Sequence, residues 1–265
     1  MTTAYETVLA KDGAERARRS AVLLTVIAVV IGAMWLTGLL DPARFADAWP
    51  GVRQLSSEMF PPDFSRLSKW LWPILDTLAM SIAGTAIAVA LSLPVALVAA
   101  SNTTPHRILY RVARFLLNLL RSIPELIMGI ILVAMVGFGA LPGVLALGLH
   151  SVGMVGKFFA ESIEHVDAKP VEAARAAGAT APQVVWHAVL PQVMPQLADI
   201  TIYRWEYNFR ASTVLGAVGA GGIGFELIAA LRVLEYAQVS AILICILVCV
   251  TAVDGLGAAL RRSLQ

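Results

Sequence analysis

Long apolar runs, spaced along the chain and thinly interrupted by charge, constrain this sequence more than any motif in it. Crossing about 30 Å of hydrocarbon at about 1.5 Å per residue takes roughly 20 apolar residues, with every backbone polar group bonded inside the helix. Runs of that kind lie near residues 21–40, 74–100, 115–138, 141–162 and 238–260. A sixth, near 192–217, is the weakest, because it carries Asp199, Arg204, Glu206, Asn208 and Arg210. With 58% hydrophobic and 14% charged residues, the composition excludes an ordinary soluble domain. The expected fold class is all-α: a polytopic membrane helix bundle of about six transmembrane helices.

Basic residues set the orientation. Lys11, Arg16, Arg18 and Arg19 precede the first run, Arg107, Arg111 and Arg114 follow the second, and Arg261 and Arg262 close the chain. Cytoplasmic loops carry the excess of Lys and Arg, so both termini are expected in the cytoplasm. Threading the spans from there puts 41–70, Gly137–Gly143 and 219–237 outside, and Glu172–Pro191 inside. The first run is longer than the 7–15 apolar residues of a cleaved signal and is expected to stay as an anchor. Residues 1–70 thus read as a cytoplasmic arm, an anchor helix and an extracytoplasmic linker marked by Pro42, Pro50, Pro61 and Pro62. Residues 71–265 read as one membrane domain. No internal repeat is evident, which removes one common sign of a secondary transporter. Cys245 and Cys249, one helical turn apart in the last run, suit packing and support neither a metal site nor a disulfide framework.

Two glycine motifs invite a nucleotide reading and fail it. GAGGIG at Gly219–Gly224 satisfies GxGxxG literally, but it follows a membrane helix, opens no βαβ unit and faces outside. Gly219, Gly221, Gly222 and Gly224 instead break the helix and permit close backbone approach, at a cavity or a subunit interface. Gly156-Lys157 lacks the Ser or Thr and the upstream Gly of a phosphate-binding loop. The chain is not expected to hydrolyse ATP by itself, and no nucleophile, base or metal-ligand spacing marks it as an enzyme. Upstream, Arg107, Arg111, Arg114, Asn118 and Arg121 recur at spacings of three and four. That stripe predicts a helix along the cytoplasmic interface, redirected into the bilayer at Pro124, whether it only sets topology or also meets a partner.

Charge inside the sixth run costs roughly 2.5–3.5 kcal/mol per residue and normally faces a cavity or another charge. Glu206 and Arg210 are four apart and are expected to pair, with Arg204 and Asn208 as a neighbouring stripe. Arg204 is then left over. It either snorkels or meets a carboxylate of another helix, or it lines a path that attracts anions; a proton relay through Glu206 is the third possibility.

Between Glu172 and Pro191 the chain reads EAARAAGATAPQVVWHAVLP, largely polar or small residues between apolar runs. Glu172, Ala173 and Ala174, then Gly178, then Leu190 and Pro191 stand in a register that resembles the EAA loop of importer permeases of the ATP-binding-cassette (ABC) superfamily. Ala188 stands where that pattern usually has Ile. YRWEYNFRASTVLGAVGAGGIG at Tyr203–Gly224, RSIPEL at Arg121–Leu126 and GMVGKFFAE at Gly153–Glu161 are similar to permeases of the phosphonate ABC-importer family, which includes importers of phosphite and related phosphorus oxyanions. The resemblance runs from about residue 71 to the C-terminus. It implies a type I transmembrane domain in a bacterial plasma membrane, a homodimer, two cytoplasmic ATPase subunits that bind ATP and Mg²⁺, and an extracytoplasmic binding protein that delivers the substrate. It implies no cofactor or metal in this chain and no nucleic acid partner. By the same resemblance, Glu172, Ala173, Ala174, Gly178, Leu190 and Pro191 form a cytoplasmic coupling-helix loop, with a short helix over Glu172–Gly178. The Gly-rich stretch is expected near the two-fold axis. A proton-coupled secondary transporter using Glu206 is the alternative class.

Overall fold

The computed structural model describes residues 2–264, with side chains from Glu15 to Ser263; Lys11 of the basic arm lies outside the described side chains. Among the described residues every regular element is helical. The chain divides into two compact units, residues 1–58 and 59–265.

The first unit holds α1 (Thr2–Leu36) and most of α2 (Pro42–Met59). Glu15–Leu36 is long and apolar enough to cross a membrane. The prolines of the 41–70 linker predict an irregular connector, yet much of it is helix. Asp41 Oδ1 accepts the Ala43 N–H at 3.1 Å, and Pro42 occupies the first helical position, where its missing N–H costs nothing. Pro50 then removes one ladder bond without ending the helix.

The second unit comprises α3 (Leu67–Ala99), α4 (Arg107–Ser122), α5 (Glu125–Val136), α6 (Ala140–Glu164), α7 (Ala168–Ala176), α8 (Ala181–Val184), α9 (Leu190–Gly216), α10 (Gly222–Arg232) and α11 (Tyr236–Leu264). Helices α3, α6 and α11 each pass the length and apolarity needed to span, as do α4 and α5 taken together. With Glu15–Leu36 of α1 these make four helices long and apolar enough to span, or five if α4 and α5 form one span; the charge-bearing α9 does not meet that measure.

The central pair is α3 and α6. Small residues let them approach: a methyl group on Gly84 would lie 2.9 Å from Leu147 Cβ, and one on Gly148 would lie 3.1 Å from Ile87. In lipid, where helices gain nothing from leaving an apolar solvent, such close packing is what joins them. Ala88, Ala96, Val152, Phe159 and Leu197 continue the contact into one core cluster.

Helices α4 and α5 meet at 86°. Pro124 cannot donate its ladder hydrogen bond and forces Ile123 into extended backbone, so the 115–138 run is bent, as a broken span or a re-entrant pair, at the residue expected. Gly153 and Gly156 of α6 receive α4 so closely that a methyl on Gly153 would lie 2.7 Å from the Arg121 backbone nitrogen. Arg114 Nη2 reaches Glu164 at 2.8 Å and anchors the middle of α4 to the end of α6.

The Gly-rich stretch turns the chain between α9 and α10. Gly219, Gly221 and Gly222 have φ of 96°, 78° and 70°, values that favour glycine. Gly216 is needed for proximity instead: a methyl there would lie 2.6 Å from the Phe225 backbone nitrogen. Sequence reading of 219–237 as an extracytoplasmic segment misses α10, which the three positive-φ glycines make possible by reversing the chain direction.

Candidate functional site

Two groups of residues invite a functional reading, one in the α7–α9 segment and one along α9.

In the first, α7 starts at Ala168, four residues before the expected Glu172, because Asp167 Oδ1 accepts the Lys169 N–H at 3.0 Å and caps the helix there. Its end is where glycine was expected to put it. Gly178 takes φ +80°, its N–H reaches Arg175 O at 3.0 Å, and the Ala179 N–H reaches Ala174 O at 3.1 Å. That pair of bonds is a Schellman stop, which requires the left-handed residue glycine supplies. No residue of α7 is fully buried; Val171 packs against the core cluster and Ala174 is half-buried, while Glu172 and Ala173 are exposed. After the turn, the Gln183 side chain accepts the Thr180 N–H at 2.8 Å and opens α8. The helix continues through one π-helical turn, Val185–Val189, into α9, with Leu190 and Pro191 at the junction. The wider turn accommodates Pro191, whose ring and missing N–H would clash with a regular ladder.

Along α9, the expected Glu206–Arg210 pair does not form. Glu206 Oε1 lies 2.8 Å from Arg261 Nη2, and Arg210 Nη1 donates to Asp254 Oδ1 at 2.8 Å; both partners are on α11. Four-residue spacing permitted the intrahelical pair, but α11 presents a carboxylate and a guanidinium at matching depth, and pairing across the interface satisfies four charges instead of two. Gly257 makes room for the arrangement, since a methyl there would collide with the Glu206 carboxylate. Arg261 also lies 4.0 Å from Asp199.

The opposite side of α9 faces α3, α5 and α6. Asn208 is fully buried; its amide donates to Thr85 Oγ1 at 2.9 Å and accepts from Ser151 Oγ at 3.0 Å. Arg204, 5% exposed, donates from Nε to Ser151 Oγ at 2.8 Å and stacks its guanidinium 4.3 Å above the Tyr207 ring. Its Nη2 is buried with no hydrogen-bond partner. Tyr207 donates its hydroxyl to Glu125 Oε1 at 2.6 Å, and Glu125 Oε2 lies 3.0 Å from His150 Nε2. Thus Arg204 and Asn208, expected as a stripe, do share a network, while Glu206 and Arg210 belong to another. Sequence reading missed Thr85, Glu125, His150, Ser151, Tyr207, Asp254 and Arg261 as members. Glu125 stands in the RSIPEL motif directly after the break, a signal that could have flagged it; a lone His in an apolar run carries none.

The family described as "Binding-protein-dependent transport system inner membrane component" matches residues 92–265, which hold both groups except Thr85. The chain belongs to this family. As such a component it is a transport subunit of the inner membrane, not an enzyme. It is 66% identical over 237 residues, 89% of this chain and 86% of the relative, to the phosphite transport system permease protein PtxC of Stutzerimonas stutzeri. It is 38% identical over 95% of its length, and 89% of the relative's, to the putative phosphite transport system permease protein HtxC of the same organism. Among solved structures, an inward-facing conformation of the MetNI methionine ABC transporter superposes with a TM-score of 0.68 at 21% identity, covering 77% of this chain and 99% of that one. The fold is therefore that of an ABC-transporter permease.

Proposed function

We propose that this permease forms the membrane path for phosphite or a related phosphorus oxyanion, delivered by an extracytoplasmic binding protein and driven by cytoplasmic ATPase subunits that carry ATP and Mg²⁺. The observation that carries the substrate reading is the 66% identity to a phosphite permease, spread over 86% of that protein. Arg204 supports it independently, because an anion is what a buried guanidinium nitrogen with no partner lacks. A proton relay is not favoured: Glu206 sits against Arg261, so its carboxylate is already engaged.

The exposed α7, stopped sharply at Gly178, is the surface that docks the ATPase, with Glu172, Ala173 and Ala174 at the contact and the Leu190-Pro191 junction passing its movement into α9. Two copies pair near the Gly216–Gly224 turn, where Ala217 is partly accessible; Ala220 is fully buried within its own subunit and cannot contribute. Both termini lie in the cytoplasm, following the basic flanks.

Proteoliposomes holding the permease, its ATPase and its binding protein test this reading. ATP-dependent accumulation of phosphite supports it; accumulation of a phosphorus-free solute with none of phosphite overturns it. A cross-link through Ala217→Cys between two copies of this chain is expected, and one only to a different subunit excludes the homodimer.

A further inference from the structure

Helix α4 carries charge into the membrane domain and leaves most of it unmatched. Its middle is tied to the end of α6, where Arg114 Nη2 donates to Glu164 Oε2 at 2.8 Å and Arg114 Nε donates to the Ala99 carbonyl at 2.7 Å. Further along α4, the Arg121 backbone abuts Gly153, midway along α6. At about 1.5 Å per residue Gly153 lies about 16 Å from Glu164, so Arg121 stands inside the length of a spanning helix and not at its end. The stripe expected along the cytoplasmic interface therefore descends beside α6 into the bundle.

Three faces can be told apart on α4. Ala113 and Leu117 are buried, and Leu117 fills the space that a side chain on Gly156 of α6 would need. Ile108, Val112, Phe115 and Leu119, at helical spacing, are apolar and exposed, a face suited to lipid. Arg107, Arg111, Asn118 and Arg121 fall on the remaining side together with Arg114. Apart from Arg114 these are all exposed, and the side chains of Arg107, Arg111 and Arg121 make no ion pair or hydrogen bond among the described residues. The chain has no Asp or Glu between Asp76 and Glu125, and the carboxylate that does reach the stripe, Glu164, is engaged by Arg114. An arginine inside a span is costly and is found against a partner or a water-filled path. Arg121 has no such partner, and the face of α4 that suits lipid is a different one, which leaves water.

We propose that the basic side of α4 is the cytoplasmic half of the transport path, along which the oxyanion passes from Arg121 by way of Asn118 to Arg111 and Arg107. The path rests on the oxyanion reading of the function but is tested apart from it. A planar guanidinium with its N–H groups unoccupied offers paired donors to an oxyanion, and the Asn118 amide offers a neutral one between charged stations. From Arg121 to Arg107 the stripe covers about 21 Å of helix. Passage needs sites attractive enough to enter and weak enough to leave, and exposed arginines in series meet both conditions better than one enclosed site. Arg114, already neutralised by Glu164, holds α4 against α6 and is not a station.

The test uses the complete reconstituted complex in permeabilised vesicles, with assembly followed by co-purification of the ATPase. In a Cys245→Ala/Cys249→Ala background, Asn118→Cys is labelled with two thiol reagents of similar size, one bearing a sulfonate and one a trimethylammonium group, with Phe115→Cys as the lipid-face reference. Asn118→Cys is expected to react about tenfold faster with the sulfonate, because a basic path concentrates anions, and inorganic phosphate is expected to slow that reaction. Phe115→Cys should react slowly with both. Labelling of Asn118→Cys no faster than Phe115→Cys, or with no preference for the sulfonate, overturns the path. The second measurement is phosphite uptake by Arg121→Gln in sealed vesicles of phosphatidylcholine, with and without phosphatidylglycerol. Uptake is expected to fall about tenfold in both, with the ATPase still bound. A fall confined to vesicles with phosphatidylglycerol assigns the stripe to anionic lipid headgroups, and loss of the ATPase makes Arg121 structural; either result overturns the path. Failure of wild type to take up phosphite, with sulfonate-preferring labelling intact, would count against the substrate reading alone and leave an anion path standing.

Discussion

The two sides of α9 handle buried charge differently. Toward α11, Glu206 meets Arg261 and Arg210 meets Asp254, each at 2.8 Å, so every charge has an opposite. Toward α5 and α6, Arg204 has a hydroxyl and an aromatic face, and one guanidinium nitrogen is buried without a hydrogen-bond partner. A charge in a low-dielectric interior is stable only when paired, so the first side is built to hold helices together. The second leaves a guanidinium nitrogen without a hydrogen-bond partner, which is what the proposed anion path would use. A helix that did only structural work would have no reason to leave a guanidinium short of partners where neighbouring charges on the same helix are all matched.

The largest effect expected from breaking this contrast is on the paired side. Arg261→Gln strands Glu206, which is 6% exposed, and removing one member of a buried pair costs on the order of 3–5 kcal/mol. The complex should fail to assemble, seen as loss of co-purified ATPase and a lowered thermal midpoint; normal assembly would show that Glu206 is not held by Arg261. Next comes Arg204→Gln, which removes a guanidinium that forms no salt bridge among the described residues instead of orphaning a paired carboxylate. Uptake should fall about tenfold or more while assembly and binding-protein-stimulated ATP hydrolysis persist. If assembly is lost too, both sides of α9 are structural and the contrast disappears.

Gly178→Val lies off α9 and calibrates the comparison. A β-branched residue at φ +80° costs about 1–2 kcal/mol locally, so the end of α7 should unravel. The permease should still insert, but transport should uncouple from ATP hydrolysis; unchanged uptake at equal membrane abundance would remove the coupling role. The smallest effect is expected from Arg210→Gln. Its pair with Asp254 is over two-fifths exposed on both sides, so stability should change by no more than about 1 kcal/mol, read as a small shift in midpoint. A loss as large as that from Arg261→Gln would mean that this pair is buried by another subunit.

Legibility in the sequence tracked how local each cause is. The break at Pro124 and the stop at Gly178 were readable because a missing N–H and a left-handed backbone act on the residue itself and its nearest neighbours. The start of α7 at Ala168 was misplaced because the EAA letters drew the boundary, while the capping group, Asp167, sits upstream of them. Helix α2 was hidden by counting prolines without asking which stood at a helix start.

Chain order alone determined that the stretch forming α9 carries more charge than a span should, because hydropathy is a sum over neighbours in sequence and the excess is visible there. Which charges pair was decided only by tertiary structure. Spacing offered Glu206 an intrahelical partner at Arg210, but the partner it has is Arg261, distant in sequence and brought alongside by the packing of α11 on α9. The same holds for Arg204: its charge was evident from the sequence, but its surroundings, the Ser151 hydroxyl and the Tyr207 ring with one nitrogen left without a hydrogen-bond partner, were decided only by the packing of the bundle.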